Sequence, residues 1–284
     1  MIPILCTPLT CSFPTVLQKH HPPHSSVSCM AVHGAREFGL PFYTMIMTNT
    51  VHIELPISED KKDHGDLARN LAVYTSFPVA VPNYRLTSPD NKLQHPAHAQ
   101  DILQFLTFLL SWPGPPGCPS PPYNPDKMFL MGHSCSAHML ASIILDSSEL
   151  ALVSSPELLR AIRGVIFSEG IFDIDALLQS FPTYRNSFIT NAFGDLPNYN
   201  QYLVTSTPLR EGASHIHWLI IHSRGDTLVD MTQSEGIYER LRSLHEGGSG
   251  RVLKSLDDLE DEHDAILQSG KFYQMVGDFI LNSV

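Results

Sequence analysis

From about residue 64 onward, short apolar runs alternate with longer amphipathic ones, the rhythm of a parallel sheet covered by helices on both faces. Residues 77–81, 127–131, 161–168, 216–222 and 252–256 are dominated by apolar side chains and read as strands. Residues 66–74, 98–110, 137–145, 231–244 and 265–280 carry the 3.6-residue period of helices. The proline- and glycine-dense stretch 113–125 is expected to be a surface loop.

A chain of 284 residues can bury one large core, so a single domain over 1–284 is the expected organisation. The separation between 161–168 and 216–222 is long for a simple crossover, and 170–205 is expected to form a small cap. Residues 1–26 and 36–58 fit the alternation least; 27–32 reads as a strand, and 42–55 is apolar and threonine-rich like a stray one.

Hydrophobic residues at 43% and charged residues at 17% describe a globular chain, neither disordered nor a basic nucleic-acid binder. A formal charge of -11 repels phosphate backbones and anionic membranes, and no run reaches the roughly 20 apolar residues that span a bilayer. The expected partner is therefore a small molecule, with no nucleic acid and no membrane; a homodimer is compatible with the sequence. Five cysteines (Cys6, Cys11, Cys29, Cys118, Cys135) without paired spacing suggest reduced thiols. Together with an amino terminus that lacks a basic leader, they place the expectation in the cytoplasm.

The chemistry centres on Gly132-His133-Ser134-Cys135-Ser136, which directly follows the strand at 127–131 and precedes a helix. A sharp strand-to-helix turn holds a serine in a strained conformation, exposes its hydroxyl and aims a helix N-terminus at a developing oxyanion. Small flanking residues permit such a turn, with Ser136 where a glycine is usual. Ser134 is thus the expected nucleophile. Its partners should follow in the order acid then histidine, on loops after later strands. Asp226 lies in the polar turn after 216–222, with Asp230 as a rival, and His263 follows the strand 252–256 and an acidic stretch. Oxyanion donors are expected from the backbone of Cys135 and from Gly34 and Ala35, which follow the strand at 27–32.

His20, His21, His24, His95 and His98 lack a carboxylate or cysteine to complete a zinc site, so they read as surface residues, with no metal expected. Neither a phosphate-binding loop nor a dinucleotide fingerprint is present, so no cofactor is expected.

Several stretches resemble the kynurenine formamidases of the fungal α/β-hydrolase type, from about residue 59 to the C-terminus. Asn83-Tyr84-Arg85-Leu86-Thr87 is similar to that group's Asn-Tyr-Arg-Leu-Ser. His95-Pro96-Ala97-His98 with Asp101 resembles its helix start, and Gly132-His133-Ser134-Cys135 its elbow. Ser168-Glu169-Gly170-Ile171-Phe172-Asp173 and Asn191-Ala192-Phe193-Gly194 are similar to its cap segments. The resemblance implies an α/β-hydrolase fold, a mostly parallel sheet with a small cap insertion. It also implies hydrolysis of N-formyl-L-kynurenine to L-kynurenine and formate in tryptophan catabolism, with Ser134, Asp226 and His263 as nucleophile, acid and base. Arg85 or Tyr184 would help bind the substrate. The departure lies at the oxyanion loop, where the family's His-Gly-Gly-x-Trp becomes His33-Gly34-Ala35-Arg36 and 36–58 has no counterpart, which reads as an insertion or a misread exon boundary. Two alternatives stand beside this reading: a carboxylesterase for short acyl esters, and a catalytically weak hydrolase fold kept for ligand binding.

Overall fold

A computed structural model describes residues 64–87, 91–114, 120–147, 149–245 and 250–283, together with the backbone of three strands nearer the amino terminus. Those three are β1 (Thr10–Ser12), β2 (Ser28–Met30) and β3 (Thr44–Thr48). The chain continues through α1 (Gly65–Thr75), β4 (Val79–Ala80), α2 (Ala97–Leu109), β5 (Met128–His133) and α3 (Cys135–Ile144). Next come α4 (Pro156–Ala161), β6 (Ile162–Ser168), α5 (Ile174–Ser180), α6 (Thr190–Phe193), β7 (His217–Ile221), α7 (Met231–Leu244), β8 (Val252–Ser255) and α8 (Gly270–Asn282).

Six strands form one parallel sheet in the order β4-β3-β5-β6-β7-β8. Each strand sends alternate side chains to opposite faces. Phe129 and Met131 of β5, Ile166 of β6 and Leu219 and Ile221 of β7 pack with Leu71 of α1 and Phe272, Val276 and Ile280 of α8. Their neighbours Met128, Leu130, Val165, Phe167, Trp218 and Ile220 pack on the other face with Ile102 and Leu106 of α2, Leu140 of α3 and Ile237 and Leu241 of α7. Burial on both faces explains why these strands read as apolar runs without visible alternation.

The amino-terminal expectations need correction. The described part of the segment 27–32, β2, is not in the main sheet: it pairs antiparallel with β1, Cys11 opposite Cys29. The strand beside β5 is β3, drawn from the stretch that read as an insertion, with Thr48 opposite Gly132. Because β3 and β5 are parallel, the chain leaves β3 at the end where Ser134 stands. Gly34 and Ala35, the expected oxyanion donors, lie outside the described residues, as do His20, His21 and His24. At the other terminus the expected helix 265–280 is divided, because a short 3-10 turn, Ala265–Gln268, ends at an extended Ser269 before α8 begins.

Between β6 and β7 lie α5, a π turn (Arg185–Ile189), α6 and two 3-10 turns. Ile171, Ile174, Leu177, Tyr184, Ile189 and Tyr199 make an apolar cluster of their own there, joined by Val229 from beyond β7 and by Cys135. Its root is held by Gln233 of α7. The Gln233 Oε1 accepts from the backbone N–H groups of Phe172 and Asp173, both at 2.8 Å, while Nε2 donates to the Asp173 carbonyl at 2.9 Å. No helix among the described residues is long and apolar enough to cross a membrane.

Candidate active site

Ser134 sits between β5 and α3 with φ 53° and ψ -125°, a left-handed backbone that an ordinary residue adopts only under constraint. The constraint is visible: its N–H donates to the Ser168 carbonyl at 2.9 Å, and its own carbonyl accepts from Ala137 N at 3.1 Å. Gly132 makes the turn sterically feasible, since a Cβ there would stand 2.8 Å from the Ser136 carbonyl oxygen. Cys135 is the first residue of α3, which places its N–H at the positive end of that helix.

His263 is buried, 3% exposed, and not a solvated loop residue. Its Nδ1 lies 2.8 Å from Asp226 Oδ2. The other oxygen of Asp226 accepts from Leu228 N at 2.8 Å and Val229 N at 3.0 Å. Asp226 is thereby aimed by its own turn. Asp230 faces elsewhere: it precedes α7 and accepts from the Thr232 hydroxyl.

A second carboxylate reaches the same imidazole. Glu169, fully buried just past β6, places Oε2 3.2 Å from His263 Nδ1, while Oε1 accepts from Ser223 N at 3.0 Å. It belongs to Ser168-Glu169-Gly170, noted in the sequence only for its resemblance to a cap segment; no spacing rule could connect it to a residue 94 positions away. Burial, above all, pushes the Glu169 carboxyl up to about 7, with the Asp226 charge adding to the rise and His263 opposing it. Burial alone would lower His263, but hydrogen bonds and charge from Asp226 and Glu169 outweigh it and raise the imidazole well above its ordinary value. Asp226 is held below the usual carboxylate range: burial would raise it, but His263 and the two backbone N–H groups prevail.

Among the described residues, neither Ser134 Oγ nor His263 Nε2 makes a hydrogen bond, to the other or to any other group. Such contacts often tighten only when a substrate is bound. Beside them, the His133 ring packs on His263 with centroids 4.5 Å apart, its Nδ1 3.0 Å from the Ser168 hydroxyl. Burial lowers His133 to about 4, so it stays neutral near pH 7. His133, Glu169 and His263 bring ligand-type atoms within 4.8 Å of one another and could hold a metal ion.

Other expected residues are placed differently. Arg85 is clasped by Asp101, Nε to Oδ2 at 2.8 Å and Nη2 to Oδ1 at 2.7 Å, so its charge is already answered within the protein. The Tyr184 hydroxyl donates to the Leu228 carbonyl at 3.1 Å, tying the π-turn region to the Asp226 loop. His95 and His98 are not surface residues. His98 is 6% exposed with Nε2 2.9 Å from the Thr87 hydroxyl. His95 stacks on Phe193 at 5.2 Å and meets His138 at 5.4 Å and Tyr202 at 5.2 Å edge-on. This aromatic group lies one turn of α3 from Ser134, where α2, α3 and the 170–205 segment meet.

No family model matches the chain. It is similar to curated kynurenine formamidases from Meyerozyma guilliermondii, 25% identical over 156 residues covering 54% of each chain, and from Debaryomyces hansenii, 24% identical over 208 residues covering 58% of this chain and 67% of that one. The chain thus spans little more than half the length of the first of these relatives. Among solved structures, esterase B from Lactobacillus rhamnosis superposes with a TM-score of 0.68 at 16% identity, covering 97% of this chain and 85% of that one. A lipase/esterase from Lactobacillus plantarum gives 0.62 at 12% identity, covering 98% of both. The chain has the α/β-hydrolase fold.

Proposed function

We propose that the chain is a serine hydrolase that cleaves the formamide of N-formyl-L-kynurenine to L-kynurenine and formate. The observation that carries it is the hydrogen bond of His263 Nδ1 to Asp226 at 2.8 Å beside a serine strained at φ 53°. The similarity to three fungal kynurenine formamidases supports the choice of substrate.

In this reading Ser134 Oγ attacks the formyl carbon as His263 Nε2 takes its proton. Asp226 keeps the Nδ1–H tautomer, leaving the Nε2 lone pair for that transfer. The tetrahedral oxyanion develops beside Cys135 N–H at the helix terminus. His263 then returns the proton to the arylamine nitrogen as the C–N bond breaks. A water, deprotonated by His263, attacks the formyl-serine and releases formate. No metal or cofactor is called on. The 170–205 segment acts as a cap, and the His95, His138, Phe193 and Tyr202 group offers aromatic walls suited to an aryl amide.

A carboxylesterase is the second reading, favoured by the esterases among the similar structures. Formate release from N-formyl-L-kynurenine, compared with p-nitrophenyl acetate turnover and repeated with Ser134→Ala, decides between them. Formamide turnover abolished by the substitution supports the proposal; ester turnover alone replaces it with the second reading.

A further inference from the structure

We propose that Glu169 is a second positioning carboxylate for His263, holding the same ring nitrogen as Asp226 and sustaining the working tautomer when Asp226 is removed. This rests on the serine-hydrolase reading above.

The sheet itself explains how two acids meet one base. β6 and β7 are adjacent and parallel, with Ser168 opposite Ile221. Glu169 is the first residue beyond one strand, and Asp226 lies in the turn beyond the other, so neighbouring strand ends deliver both carboxylates to one imidazole. The position is an expensive one to occupy. Glu169 has φ 49°, a left-handed conformation that is unfavourable for a non-glycine residue, and it buries an ionisable group completely. Its backbone is fixed by donation to the Ile221 carbonyl at 2.9 Å, and Oε1 by Ser223 N. Those contacts settle one oxygen only. The other, Oε2, is buried with no hydrogen bond of acceptable geometry among the described residues, and stands 3.2 Å from His263 Nδ1.

A purely structural role would need only the Ser223 contact, which glutamine can make equally well. A positioning role needs negative charge at Oε2. Burial, chiefly, raises that carboxyl, so its charge grows as the pH rises. Removing the acid of a single-acid triad costs about 10⁴ in kcat, because the histidine adopts the wrong tautomer and its cationic form loses its counter-charge. Here Glu169 remains on Nδ1 when Asp226 is gone.

The test compares Asp226→Ala, Glu169→Gln and the double variant on N-formyl-L-kynurenine and p-nitrophenyl acetate, with thermal melts to confirm folding. Asp226→Ala should keep at least roughly tenfold more kcat than the double variant, and its residual activity should rise with pH through the ionisation of Glu169. Equal activity in Asp226→Ala and the double variant overturns the inference. A second measurement needs no turnover: ¹⁵N titration of the His263 ring in Ser134→Ala protein, with and without Glu169→Gln. Loss of the carboxylate should make the His263 imidazolium a stronger acid by roughly tenfold or more, and an unmoved titration also overturns the inference. Activity that survives Ser134→Ala would instead defeat the serine-hydrolase reading, and the ring titration would still decide the place of Glu169.

Discussion

Gly225 lies against the backbone of Glu260, so close that a Cβ on Gly225 would stand 2.2 Å from the Glu260 carbonyl oxygen. The loop bearing Asp226 and the loop leading to His263 therefore touch main chain to main chain. Hydrogen bonds join them further, among them Arg224 N to the Leu259 carbonyl at 2.9 Å, Ser223 Oγ to the Asp261 carbonyl at 2.6 Å and Thr227 Oγ1 to the Glu262 carboxylate at 2.9 Å.

Gly225→Ala is expected to force these loops apart. A displacement of about 1 Å in a reacting constellation costs on the order of 100-fold in rate. The expected outcome is such a loss in kcat with the far-ultraviolet circular dichroism retained; unchanged kcat would show that the loops are not coupled.

Ser134→Gly separates strain from chemistry. Glycine adopts φ 53° without penalty, so the variant should melt about 2 °C above the parent while losing turnover. Calorimetry beside an activity assay reads both effects, and a lower melting temperature would contradict the strain argument.

The pH dependence follows from the His263 environment. Its pKa in the folded protein is raised above 6.5, so the imidazole becomes neutral, and able to act as a base, only as pH climbs past that value. The ascending limb of kcat/KM against pH should therefore lie above 6.5. The stability linkage runs the other way. The contribution of His263 is fully present below the unfolded value and is lost as pH rises through the raised one; that of Asp226 is present above its unfolded value and is lost as acid protonates it through its lowered one. A rate profile whose limb falls below 6.5 would show that the two carboxylates do not govern His263.

Arg85 tests a substrate role against a structural one. Its partly exposed, bidentate pair with Asp101 should contribute about 1 kcal/mol, so Arg85→Ala lowers the melting temperature while KM for N-formyl-L-kynurenine changes less than about twofold. A tenfold rise in KM would restore Arg85 to the substrate.

The elbow was legible because a buried apolar strand, a small-residue turn and a helix coincide in one continuous stretch, residues 128–144. The meeting of Asp226 with His263 was likewise readable from loops after recognisable strands. β3 falls inside the run 42–55 that reads as a stray strand, but its place in the sheet comes only from neighbours β4 and β5 far along the chain. β4 falls inside the run 77–81 that reads as a strand, of which only two residues pair. Glu169 and the Arg85–Asp101 clasp depend on tertiary proximity, which no local pattern encodes. His98 was misplaced because a histidine's polarity says nothing of whether a Thr87 hydroxyl waits to receive it.

The clamp that Gln233 places on Phe172 and Asp173 makes the start of the 170–205 segment continuous with the body of the protein. Further along, the Tyr184 hydroxyl on the Leu228 carbonyl and Cys135 against the segment's apolar cluster tie it to the Asp226 turn and to the start of α3. The segment is thus keyed to the ends of two strands at once, and a change of its packing is transmitted to Ser134 and Asp226 together.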